Sequence, residues 1–123
     1  MTTEEVRVLV VDDVEDVARA LADLLALDGY TTQVAHDAES AMRLCETQLP
    51  HCVLLGIGMP EVDGLELAHR LRERFGEDLV LIAVTGTGEA EERVSEKFAC
   101  LDHYLRKPVR PDQIRTVLGP VSC

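Results

Sequence analysis

Strand-like and helix-like segments alternate five times along the chain, which predicts an α/β fold with a parallel sheet covered by helices on both faces. Two observations carry this. The runs Val6–Val11 (VRVLVV), Cys52–Leu55 and Leu79–Val84 (LVLIAV) are continuously apolar, as strands are when both of their faces are buried. Between them lie stretches whose apolar residues recur at helical spacing.

Taken in order, Val6–Val11 is the first strand and Asp12-Asp13 stand at its carboxyl end. A helix follows over Val14–Leu27, with Val14, Val17, Ala18, Leu21, Leu24 and Leu25 as its apolar stripe and Gly29 closing it. Thr31–Ala35 is short and β-branched, a second strand. Asp37 caps a second helix with Ala38, Ala41, Met42 and Cys45 on its inner side, and Pro50 separates it from the third strand. That strand stops abruptly in Gly56-Ile57-Gly58-Met59-Pro60, a loop ending on Asp63-Gly64. A third helix carries Leu65, Ala68, Leu71 and Phe75. After the fourth strand comes Thr85-Gly86-Thr87-Gly88, then a fourth helix over Glu89–Phe98 with a thin apolar stripe of Ala90, Val94 and Phe98. A short fifth strand spans Asp102–Leu105, Lys107-Pro108 ends it, and Pro111 opens a last helix with Ile114, Val117 and Leu118 facing in. Residues 119–123 read as a tail or the start of a linker, so 1–123 is one domain without internal repeats.

Composition narrows the function. Twelve basic against 23 acidic residues give a net charge of -11, which opposes direct binding of nucleic-acid phosphates or anionic membranes. No stretch approaches the roughly 20 apolar residues of a membrane span. The start, MTTEEVRV, is acidic and unlike a signal peptide. Cys45, Cys52, Cys100 and Cys123 are scattered without a Cys-x-x-Cys pair, which fits free thiols in a cytoplasmic protein. Cys45 and Cys52 read as small buried hydrophobes. His36, His51, His69 and His103 share no metal-ligand spacing. His69 reads as an exposed helical residue.

In an open parallel sheet, chemistry sits at the carboxyl ends of the strands. Asp12-Asp13 is the first candidate there. Adjacent carboxylates repel and call for a cation or donors, and hard oxygens suit Mg²⁺. The competing reading is that Asp13, with Asp16 three residues on, caps the first helix. Taken singly, Thr85 is an ordinary loop hydroxyl, Lys107 a solvated lysine and Tyr104 a half-buried ring.

Their order and spacing together say more. The acid pair after strand one, GIGMPEVDG after strand three, Thr85 after strand four and Tyr104-x-x-Lys107-Pro108 at strand five resemble the receiver domains of two-component systems, over about residues 5–118. The resemblance implies a flavodoxin-like sheet of order 2-1-3-4-5, with the switch point between strands one and three. It implies that Asp12, Asp13 and the backbone carbonyl of Gly58 hold Mg²⁺. It also implies that the Thr85 hydroxyl bonds a phosphoryl oxygen, that Lys107 pairs with the acceptor and then the phosphoryl group, and that Tyr104 turns inward when the threonine moves. The acceptor aspartate of the family aligns with Gly56, which has no side chain to phosphorylate. One charged ligand is thereby lost, so Mg²⁺ binding is expected to be weak and Lys107 to reach toward Asp12 or Asp13.

The expected role is an atypical receiver in a phosphorelay, a protein-binding module rather than an enzyme. Its partners would be a histidine kinase or a phosphotransfer protein, met through the first helix, or an output protein. Self-association would use the face of the fourth helix, fifth strand and fifth helix, where Arg93, Lys97, Tyr104, Arg106 and Arg110 lie. The alternatives are a working receiver carrying an introduced Asp-to-Gly change, and a pocket repurposed for a small ligand or metal-dependent chemistry.

Overall fold

The structure, a computed structural model, describes residues 6–12, 14–56, 64–76, 79–85, 102–106 and 110–118. Five strands form one parallel sheet: β1 (Arg7–Val11), β2 (Thr31–Ala35), β3 (Cys52–Gly56), β4 (Val80–Thr85) and β5 (His103–Arg106), in the order β2-β1-β3-β4-β5. The helices are α1 (Glu15–Leu27), α2 (Ala38–Thr47), α3 (Gly64–Phe75) and a C-terminal helix, Pro111–Leu118. The helix expected over 89–98 lies outside the described residues.

Alternation along the strands divides the core in two. Leu9, Val11, Val53, Leu55 and Leu81 pack with Ala41 and Cys45 of α2 and with Leu67, Ala68 and Leu71 of α3. Val8, Val10, Leu54, Ile82 and Val84 pack with Ala18, Ala22 and Leu25 of α1 and with Ile114 of the C-terminal helix. Strands β1, β3 and β4 are buried on both faces, which explains their continuous apolar runs. Strand β2 lies at the sheet edge and alternates exposed with covered residues.

Local signals act largely as expected. The Asp37 carboxylate accepts the Ser40 N–H at 2.7 Å and caps α2, which holds its carboxyl below the usual range. Gly29, at φ 105°, ends α1 in the left-handed region. Gly56 differs from the expectation: it is the last residue of β3, paired with Val84, and not the first residue of a loop.

Helix α1 departs further. Ala18, Ala22 and Leu25 are its buried residues, while Val14, Val17 and Leu24 are 50%, 45% and 48% exposed. At about 100° per residue, Val17, Leu21 and Leu24 stand on one flank of the stripe, and the sheet receives the other flank. The N-cap position of α1 is Val14, so a capping role for Asp13 gives way.

The sheet's amino end is cross-linked by arginines. Arg72 of α3 donates to the carbonyls of Gly76 and Leu79 and to the Asp102 carboxylate, at 2.7, 3.1 and 2.7 Å. Asp102 also accepts the Leu81 N–H, fixing the approach to β5 against β4. Arg115 of the C-terminal helix binds Asp28 at the end of α1 through two hydrogen bonds.

Candidate functional site

The carboxyl end of the sheet is assembled by strand register. Val11 pairs with Ala35 on one side and with Leu55 on the other. One residue further, Asp12 and Gly56 therefore end neighbouring strands. Gly56 pairs with Val84, the residue before Thr85, and Thr85 pairs with Arg106, the residue before Lys107. The register thus brings the ends of β1, β3, β4 and β5 to one edge, which is where sequence reasoning put the site.

Asp12 is the buried charged residue among those described, 7% exposed. Its backbone N–H donates to the Ala35 carbonyl at 3.1 Å, extending the ladder one step. Its carboxylate oxygen Oδ1 accepts the Val14 N–H at 3.0 Å, one of the donors that the start of a helix leaves without an intrahelical partner. The carboxylate is thus held in place by the turn from β1 into α1. Gly56 is buried beside it and contributes no polar side-chain atom. Thr85 and Tyr104 are placed through their strands, Thr85 at the end of β4 and Tyr104 opposite Ala83. Asp13, Gly58, Asp63 and Lys107 lie outside the described residues, and so does the expected approach of Lys107 to the acids.

Asp12 offers the hard oxygen that Mg²⁺ takes, and the glycine beside it offers none. No group of three or more His, Cys, Asp or Glu able to hold a metal occurs among the described residues. Cys45 and Cys52 are buried free thiols. Burial raises Cys45 to about 11 and pushes Cys52 higher still, so neither is a nucleophile at neutral pH. His69 is exposed on α3, as expected.

Sequence reasoning missed a cavity of about 430 Å³ between α1 and the sheet. Val10, Asp12, Val17, Leu21, Leu54 and Gly56 are among its lining residues. Its signal in the sequence was the apolar stripe of α1, wider than one sheet contact can cover.

Comparison with known proteins agrees with this architecture. Residues 8–119 match the response regulator receiver domain family. The response regulator MprA of Mycobacterium ulcerans is 37% identical over 109 residues, which make up 89% of this chain and 47% of that protein. The chain thus spans about half the length of the curated relatives it matches. The charge argument against nucleic acid therefore speaks for these 123 residues and not for a longer protein. The crystal structure of the receiver domain of NtrX from Brucella abortus superimposes with a TM-score of 0.79 at 30% identity, covering 89% of this chain and 92% of the other. A CheY-like receiver domain protein from Methanospirillum hungatei gives a TM-score of 0.79 at 27% identity, over 93% and 91% of the two chains. No helix among the described residues is long and apolar enough to cross a membrane. The chain belongs to the response regulator receiver domain family.

Proposed function

We propose that this domain serves two-component signalling as a receiver that takes no phosphoryl group at the usual place and acts by binding a protein partner. The observation that carries the reading is Gly56, buried at the end of β3 in the strand position next to Asp12. An acyl phosphate is made when a carboxylate oxygen attacks phosphorus, and glycine has no such oxygen. The partner would be a histidine kinase, a phosphotransfer protein or an output protein in the cytoplasm, and residues 1–123 would form one receiver domain. Thr85, Lys107 and Tyr104 would remain as parts of the phosphoryl pocket and its switch.

Asp12, Asp13 and the Gly58 carbonyl would hold Mg²⁺, which supplies charge neutralisation for an incoming phosphoryl group. With Gly56 in place of a third carboxylate, the affinity falls. A ligand moves a two-state equilibrium only as far as its affinities for the two states differ. Without phosphorylation, Thr85 and Tyr104 therefore keep one arrangement until a partner shifts it. Amide spectra of the native domain, taken with and without acetyl phosphate and Mg²⁺, test this. The Thr85 and Tyr104 amides should respond to Mg²⁺ alone and to the complete mixture in the same way. A further change on adding the phosphate donor would overturn the reading.

A further inference from the structure

We propose that the cavity between α1 and the sheet binds a small neutral molecule that is apolar all round, a compact aromatic or alicyclic hydrocarbon without a charged head. The proposal does not rest on the phosphorylation reading above. The cavity measures about 430 Å³, within the range of small-molecule sites, about 300–1,000 Å³. A cavity of about 150 Å³ lined by aliphatic and aromatic side chains already admits benzene. Val10, Leu54 and Val84 form its base on the sheet, and Val17, Leu21 and Leu24 its wall on the helix.

The lining decides the chemistry of the guest. Among the described lining residues, Asp12 alone has polar side-chain atoms. Its carboxylate is engaged within the chain: Oδ1 accepts the Val14 N–H at 3.0 Å, and the residue takes part in a further interaction. A charged ligand would give up its water with no free group of the lining to replace it. A neutral apolar guest gives up nothing of that kind. The wet apolar surface lies in the same place. Val14, Val17, Leu24 and Leu27 are the exposed large apolar side chains among the described residues, and all four belong to α1. Val17 and Leu24 line the cavity and are 45% and 48% exposed, whereas Val10, Leu54 and Val84 at its base are at most 5% exposed. The base is thus dry, and the helix wall supplies the hydrated apolar surface that a guest covers. A partner helix laid along α1 would use Leu27 as much as Leu24. A guest in the cavity uses only Leu24, because Leu27 is outside the lining.

The test is methyl NMR titration of the native domain with toluene, beside benzylammonium and benzoate as charged probes on the same ring. Toluene should bind saturably and give nuclear Overhauser contacts to the methyl groups of Val10, Leu54 and Leu24. Both charged probes should bind about tenfold more weakly or less. Val17→Asn and Leu24→Asn make the helix wall polar at half-exposed positions, and each should weaken toluene about tenfold. Leu27→Asn, the same kind of change on the same helix but outside the lining, should leave binding unchanged. If one wall variant loses the dispersed spectrum of a folded domain, the other carries the comparison. Absence of saturable shifts, a charged probe that binds as tightly as toluene, or an equal loss in Leu27→Asn and the wall variants would each overturn the proposal. The last result would assign the apolar surface of α1 to general adsorption or to a partner helix. None of these outcomes bears on whether the domain is phosphorylated.

Discussion

On the face covered by α2 and α3, Leu55, Leu67, Leu71 and Leu81 are completely buried, whereas on the face covered by α1 Val17 and Leu24 stay half exposed beside a cavity of about 430 Å³. Both faces belong to the same strands, so the difference lies in the helices. α2 and α3 each bring a stripe that the sheet covers. α1 buries Ala18, Ala22 and Leu25 against the sheet and leaves Val14, Val17 and Leu24 about half exposed on the flank. One face is closely filled, and the other leaves room next to the ends of β1 and β3.

The largest expected effect sharpens that contrast. Leu71→Ala on the filled face should cost about 2–5 kcal/mol in urea unfolding, because its neighbours are fully packed and collapse little. Leu24→Ala on the open face should cost less than about 1 kcal/mol, since half of that side chain is in water already. Equal costs would break the comparison. Next is Arg72→Ala, expected to lose about 1–3 kcal/mol by removing a donor from two carbonyls and from the Asp102 carboxylate. The Asp102–Arg72 pair is partly exposed, at 42% and 19%, so the ionic share is small and added salt should recover little of the difference.

Tyr30→Phe should be neutral or stabilising, by up to about 1 kcal/mol. The Tyr30 hydroxyl on the α1 face is buried without a hydrogen-bond partner among the described residues, and burial raises its pKa. The smallest effect is a pH dependence on the filled face. The Ser40 N–H lowers the Asp37 pKa in the folded chain, so the charged cap is fully stabilising above the ordinary carboxylate value of about 3.9. That contribution disappears as pH falls through the lowered value. Asp37→Asn keeps an acceptor without the titration, and the stability difference between the two proteins should shrink on acidification.

The sequence made most of the sheet legible, and for a physical reason. Runs such as Leu79–Val84 have no wet side, so strand type, parallel pairing and approximate ends follow together; the observed strand, Val80–Thr85, is displaced by one residue. The cap at Asp37 and the turn at Gly29 were legible because they depend on chemistry within a few residues. The burial of α1 was legible only in part: Ala18 and Leu25 are buried as expected, whereas Val14, Val17 and Leu24 are half exposed and the buried Ala22 was not named. Periodicity identifies an apolar stripe but not which flank of it the sheet receives, and Ala22 carries too little apolar surface to announce its burial. The Arg72–Asp102 tie joins residues 30 apart and leaves no local pattern. The adjacency of Asp12 and Gly56 was legible, with Gly56 inside β3 and not in the loop after it, because the ends of apolar runs are roughly readable and the family resemblance supplied the strand order.

The most direct test of the account is the intact mass of the native domain and of Gly56→Asp after incubation with acetyl phosphate and Mg²⁺. Transfer would form a bond from a carboxylate oxygen to phosphorus and release acetate. The account predicts that Gly56→Asp gains the mass of one phosphoryl group and that the native chain gains none. A native chain that gains the same mass would contradict it, and would place the acceptor on another carboxylate of this domain.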